Sequence, residues 1–218
     1  MGLIADAKNI LHKDPAARSL AEVMLLYPGW HALVYYRVSH WFYKHHRFFC
    51  ARMVSQWGRG FTGIEIHPGA EIGNGLFMDH GMGIVIGETT EIGNNVTLYH
   101  GVTLGGTGKD AGKRHPTIGD NVLIATGSKV LGPVTIGNNS RIGANSVVLS
   151  CVPPDATVVG IPGKVVRING TKVQHASDDL DQRNFPDITA QQILALEARL
   201  CKLETKKASK HAQAGSEE

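Results

Sequence analysis

Cysteine is scarce in this chain: Cys50, Cys151 and Cys201 are three among 218 residues, odd in number and far apart. That fits a reduced, cytoplasmic protein whose thiols are ordinary packing groups better than a disulfide framework. Long apolar runs are missing as well. None approaches the roughly 18 residues that a membrane span needs, and the N-terminus lacks a basic stretch followed by a signal-type apolar segment. Nor is there an excess of one charge. The formal net charge is +3, too small to suggest a nucleic-acid platform or an acidic tail protein. Glycine, by contrast, is abundant at 26 residues, nearly twice what average usage of roughly 7% gives.

Those glycines concentrate in a stretch with a period of six. From Ile66 to Val148 the row reads Ile66, Ile72, Met78 and Ile84, breaks at the polar Thr90, and continues with Val96 and Val102. It resumes at Ile118, Ile124, Val130, Ile136, Ile142 and Val148, with Gly or Asn crowding the places between. Six matches neither the helical period nor the simple strand period. It suits a coil of short strands in which each side of a triangular prism takes one hexad. The aliphatic residue points inward, and Gly or Asn serves corners where positive φ is common. Such repeats mark parallel β-helices.

The chain therefore reads as one main domain with appendages, of α+β class. Residues 1–60 carry helical signals, with apolar faces at Leu20, Val23 and Met24 and at Leu33, Tyr36, Val38 and Trp41, separated by Pro28-Gly29. Residues 61–168 form the coil. Residues 169–218 are a polar tail with a short amphipathic helix at Ile193, Leu196, Leu200 and Leu203. A repeat stack needs its ends covered, and the N-terminal helices can cap one of them. Copies of the same chain in cyclic symmetry cover the flat faces most simply, so a homotrimer is expected.

Chemistry-bearing residues gather at two places. Val102 and Ile118 are 16 apart where six would do, so ten residues loop out at about Gly108 to Thr117, carrying Lys109, Lys113, Arg114 and His115. The nearby glycines do not make a phosphate loop, because the Walker spacing fails at both Gly-Lys pairs. The second place is Met78-Asp79-His80, with Glu65 and His67 about one turn of the prism earlier. Histidine is the side chain best poised to take a proton near neutral pH, and a carboxylate such as Glu65 can fix its tautomer. Asp14 is also suited to cap a helix beginning near Pro15.

The stretch from Gly63 to Gly163 resembles the serine O-acetyltransferases, a family of hexapeptide-repeat acyltransferases. The likeness rests on Glu65-Ile66-His67-Pro68-Gly69-Ala70, Met78-Asp79-His80-Gly81, Gly87-Glu88-Thr89, Val102 to Lys109, Arg114-His115-Pro116, Gly143 to Val148 and Gly160-Ile161-Pro162-Gly163. Upstream, Asp14-Pro15-Ala16 and Tyr35 to Trp41 are similar to the family's helical segment. The resemblance implies a left-handed coil and direct acetyl transfer from acetyl-CoA to the hydroxyl of L-serine, a step of cysteine biosynthesis, with no metal. It implies His80 as general base and Glu65 as the carboxylate that orients it. Asp14 and Asp79 would engage the serine ammonium, Arg114 and His115 its carboxylate, and Glu88 would be a further acidic residue of the site. The coenzyme would lie in a groove between adjacent prisms, along Gly105, Gly106, Thr107, Thr126 and Ala144, with Lys129 and Lys164 near its phosphates.

Longer family members carry a larger N-terminal region that pairs trimers into hexamers. Only about a dozen residues precede Asp14 here, so a hexamer is not implied. Nor does an ending of Ala-Gly-Ser-Glu-Glu support docking to O-acetylserine sulfhydrylase. Three alternatives remain: an O-acetyltransferase acting on homoserine or a sugar, a γ-carbonic-anhydrase-type lyase, and a non-catalytic β-helix binding protein. Against the lyase, Asp120 stands where its second histidine is needed.

Overall fold

The computed structural model describes residues 2–108 and 112–168, with Leu196 and Arg199 beyond them. The expected tail helix and Lys109 otherwise lie outside the described residues. The chain divides into two compact units, Met1–Phe185 and Pro186–Glu218, and the four helices and fifteen strands named below belong to the first. Among the described residues no helix is long and apolar enough to cross a membrane.

Four helices come first: α1 (Leu3–Lys13), α2 (Leu20–Leu26), α3 (Pro28–Lys44) and α4 (Phe48–Thr62). Ser19 caps α2 by accepting from the Glu22 N–H, and the Glu22 carboxylate reaches back to the Arg18 N–H. Pro28 opens α3, where its missing N–H is harmless. Gly63 ends α4 in the left-handed conformation. Asp14 does not begin a helix; it ends α1, and its Oδ1 accepts from the Ala16 N–H at 2.8 Å.

The coil is built as three parallel sheets. Sheet A contains β1 (Glu65–Ile66), β4 (Val85–Ile86), β7 (Thr103–Gly105), β10 (Lys129–Leu131) and β13 (Val147–Val148). Sheet B contains β2 (Glu71–Ile72), β5 (Glu91–Ile92), β8 (Thr117–Ile118) and β11 (Thr135–Ile136). Sheet C contains β3 (Phe77–Asp79), β6 (Thr97–Tyr99), β9 (Leu123–Ile124), β12 (Arg141–Ile142) and β14 (Ala156–Val159), with β15 (Lys164–Ile168) added antiparallel at its end. Strands of two or three residues are stable here because each bonds to the turns before and after it, and their aliphatic side chains share one core.

The register corrects the inward row. Ile66 pairs with Ile86, Ile72 with Ile92 and Met78 with Leu98. So Ile84, Thr90, Val96 and Val102 belong to a second row, two residues before the strand centres. Glu65 and Val85 are 20 residues apart, whereas Lys129 and Val147 show the regular 18. Glu91 and Thr117 are 26 apart. The ten-residue excursion is therefore two insertions: two residues at His80, and eight before β8. Thr90 breaks the apolar pattern because the second row also accepts buried small polar residues, Ser128, Ser140 and Ser146 among them.

The open edge of the first turn is closed by the helices. Tyr36 donates to the Ala70 carbonyl, Ser55 to that of Ile66, and Asn9 to that of Gly75, and His40 Nδ1 lies 2.8 Å from the Pro68 oxygen. Left bare, those carbonyls would form an unpaired strand edge. Helix α3 sits so close that a Cβ on Gly29 would lie 2.6 Å from the Met78 carbonyl oxygen. At the corner between sheets B and C a polar column runs along the coil. Asn94 Oδ1 accepts from the Asn74 N–H, Asp120 Oδ1 from the Asn94 N–H, and Asn138 Oδ1 from the Asp120 N–H.

Candidate active site

The candidate residues fall on the two edges of sheet A. The first edge is the corner where sheet C turns into sheet A. Strand β3 ends at Asp79, and His80 comes next with φ of 56°, a left-handed conformation uncommon outside glycine. Gly81 N–H donates to the Asp79 carbonyl and Met82 N–H to that of His80, so the insertion is a tight projection bearing the imidazole. One turn on, the His100 ring packs edge-on against His80, centroids 6.0 Å apart. Asp14 approaches from the α1–α2 connection, and its carboxylate acts on the Tyr27 hydroxyl. Burial, then the carboxylates of Asp14, Glu22 and Asp79, push the Tyr27 hydroxyl up to about 12. The Asp79 carboxyl is raised too: burial is the main cause, the attraction of His80 offsets only part of it, and the repulsion of Asp14 adds to the rise.

The second edge is the corner between sheets A and B. Glu88 forms a salt bridge with Arg114 and accepts from the Tyr43 hydroxyl at 3.3 Å. Burial works to raise the Glu88 carboxyl, but His67, Arg114 and Tyr43 together hold it below the ordinary value. His115 is buried. Burial first, then the charge of Arg114, press its imidazole toward the neutral form. Burial does the same to His67, whose Nδ1 accepts from the Gly69 N–H. Lys113 Nζ donates to the Thr89 carbonyl and to Glu91 at 2.7 and 2.9 Å, pinning the loop that carries Arg114.

Glu65 lies on sheet A between these edges. Its carboxylate pairs with Arg59 at 3.3 Å and Arg52 at 3.8 Å, and among the described residues it makes no bond to His80. The residues expected to hold a coenzyme divide in the same way. Gly105, Gly106 and Thr107 end or follow β7 at the second edge. Thr126 and Ala144 lie at the first-edge corner, in turns stacked beyond His100, where Gly127 N–H donates to the His100 carbonyl and Asn145 N–H to that of Thr126. Lys129 is tied down, its ammonium donating to the Gly101 and Gly127 carbonyls, both at 2.7 Å. Lys164 is exposed at the start of β15.

Comparison with known proteins gives the family. The family model described as bacterial transferase hexapeptide (six repeats) matches residues 115–150. The serine acetyltransferase of Bacillus subtilis is 56% identical over 198 residues, 91% of this chain and 90% of the relative. The chain belongs to the serine acetyltransferase family. It is accordingly an acyltransferase built on a β-helix. Among solved members, the Neisseria gonorrhoeae serine acetyltransferase superposes with a TM-score of 0.78 at 43% identity, covering 84% of this chain and 69% of that one. The same protein has been solved in complex with serine (TM-score 0.73, 44% identity, 76% and 67% covered). The Brucella abortus serine acetyltransferase has been solved with coenzyme A (TM-score 0.74, 42% identity, 77% and 67% covered).

Several groups of this serine acetyltransferase fold had no role in the motif reading: Tyr27, Tyr43, Thr89 and His100. Thr89 stands inside the Gly87-Glu88-Thr89 motif, but its partners lie 25 and 26 residues away, beyond the loop. His100 could have been found by adding the corrected 20-residue turn to His80.

Proposed function

We propose that the protein transfers acetyl from acetyl-CoA directly to the hydroxyl of L-serine, giving O-acetyl-L-serine and CoA. One observation carries this reading: two half-sites of opposite character flank a single face of the coil. The first offers His80 with the carboxylates of Asp14 and Asp79, and the second offers the Arg114 guanidinium with His115. A zwitterionic amino acid needs both, an acidic group for its ammonium and a planar cation for its carboxylate.

In this reading His80 takes the serine hydroxyl proton as the oxygen attacks the thioester carbonyl. The new C–O bond forms, the tetrahedral intermediate collapses, the C–S bond breaks, and the imidazolium returns its proton to the leaving CoA sulfur. Glu65 is assigned the negative charge that steadies this imidazolium, with Arg59 and Arg52 as its resting partners. Glu88 positions Arg114. Small residues at both edges (Gly105, Gly106 and Thr107; Thr126 and Ala144) leave room for an extended pantetheine arm. Lys164 is left for the phosphates, and Lys129 stiffens the groove wall.

Because the half-sites occupy opposite edges of one sheet, the reading includes a homotrimer in which the first edge of one copy meets the second edge of its neighbour. The test is thiol release from acetyl-CoA with L-serine, L-homoserine, L-threonine and a galactoside offered in parallel, alongside His80→Ala. Turnover with serine alone, and a loss of at least about a hundredfold in His80→Ala, are expected. Preference for homoserine or the sugar would overturn the substrate, and no turnover with any acceptor would favour a non-catalytic coil.

A further inference from the structure

Thr89 is the most heavily bonded side chain near the second half-site, and its bonds decide the chemical state of His115. Its Oγ1 accepts from two backbone N–H groups, those of Arg114 at 3.0 Å and His115 at 3.1 Å. A hydroxyl has two lone pairs and one proton. With both lone pairs used, only the proton remains for the third neighbour, His115 Nδ1, 3.0 Å away. The Thr89 backbone N–H, which can only donate, also points at that nitrogen, from 3.2 Å. Nδ1 therefore faces two donors and must be an unprotonated acceptor. The one proton of the neutral ring sits on Nε2. An imidazolium would set an Nδ1–H against the Thr89 N–H.

The other side of the ring is lined by glycines. Gly87 faces it so closely that a Cβ there would lie 2.0 Å from Cδ2 and 2.2 Å from Nε2, and one on Gly106 would lie 3.5 Å from Nε2. Among the described residues Nε2 makes no hydrogen bond, although the residue is only 8% exposed. Nε2 is not among the buried atoms left without a partner, so its N–H is a donor available to a group that binds there.

We propose that Thr89 is a positioning residue that locks His115 as the neutral Nε2–H tautomer, making it a pure hydrogen-bond donor to the carboxylate of the acyl acceptor rather than a base or a cation. This rests on the serine reading for the identity of the carboxylate, but not for the tautomer. Among the described residues the charged and titratable neighbours of the ring are Arg114, Glu88, Lys113 and His67. Three of them carry or can carry positive charge, and only Glu88 favours an imidazolium, so the surroundings reinforce the lock. A neutral donor also avoids placing a second cation beside Arg114 in the empty site.

The test is nitrogen-15 NMR of the histidine rings in the full-length protein without substrate, with His115 identified by the signal lost in His115→Asn. Serine kinetics of Thr89→Val and Thr89→Ser run in parallel. The wild type should show His115 as the neutral Nε2–H form at pH 7. Thr89→Val should raise the pKa of His115, since the donor that stabilised the neutral ring is gone. It should also raise KM for serine about tenfold while leaving kcat within about threefold, and Thr89→Ser should recover both. An Nδ1–H ring or an imidazolium in the wild type at pH 7 would overturn the proposal. So would a Thr89→Val protein with unaltered His115 titration and KM, or a Thr89→Ser protein no better than it. If Thr89→Val does not fold, the wild-type spectrum and Thr89→Ser decide alone. If the wild type does not acetylate serine, the serine reading falls, while the spectrum still judges the tautomer.

Discussion

Asp79 and Asp14 bring two carboxyl groups together at the first edge, and burial makes the charge on Asp79 hard to keep. Its folded value lies above the ordinary 3.8. Between those two values the native state binds more protons than the unfolded chain, so stability falls as pH rises through that window and stays lower at neutral pH. Asp79→Asn should therefore raise Tm at pH 7 by about 2 °C, an advantage that shrinks as pH falls through the same window. The same change should raise KM for serine at least about tenfold, since an amide offers the ammonium no charge. Calorimetry across pH, set beside serine kinetics, checks both, and an unchanged Tm would mean that Asp79 is not held against its preference. Asp79, His80, Arg114 and His115 could be singled out as candidates in the sequence because they stand in short contiguous motifs. Tyr27 and Tyr43 were not: Tyr43 meets Glu88 45 positions later, and only the closure of the first turn joins them.

At the scale of the element, the informative feature is the two-residue insertion at His80. The regular corner one turn on runs Tyr99-His100-Gly101-Val102, whereas the first runs from Asp79 to Ile84 through His80, Gly81, Met82 and Gly83. Deleting Gly81 and Met82 should restore the regular 18-residue turn. The variant is expected to fold, with Tm within about 5 °C of the parent, because the aliphatic stack and the Gly83–Gly101 corner contact survive. Activity should fall at least about a hundredfold, since His80 would drop back to the plain corner that His100 occupies. Circular dichroism melting and the acetyl-transfer assay decide it; full activity would show that the projection is dispensable. The period of six was readable along the whole coil, yet this insertion was not. Its signature is hidden by two apolar rows two residues apart, so Ile84 can stand in for Ile86 and Val102 for Leu104. A shift of two then leaves the pattern of sixes intact, and only Thr90 betrays it.

For the whole molecule, the arrangement of the half-sites carries the strongest consequence. His80 with Asp14 and Asp79 occupies one edge of sheet A, and Arg114 with Glu88 and His115 occupies the other. If a complete site needs the first edge of one copy and the second edge of the next, His80→Ala and Arg114→Ala damage different contributors to each site. Each variant alone should be inactive. Co-expressed in equal amounts and assembled at random into cyclic trimers, they should regain about a quarter of wild-type activity. A site is whole when a chain with intact His80 neighbours a chain with intact Arg114 on the correct side, and at equal mixture each condition holds half the time. Sites contained within single chains would give no recovery at any ratio, because every chain would carry one lesion. Tagging the two variants differently and isolating mixed trimers before the assay makes the distinction sharp. Recovery limited to mixed species supports the shared site, whereas mixed trimers as inactive as the parents would place the whole site within one copy and remove the reason for assembly.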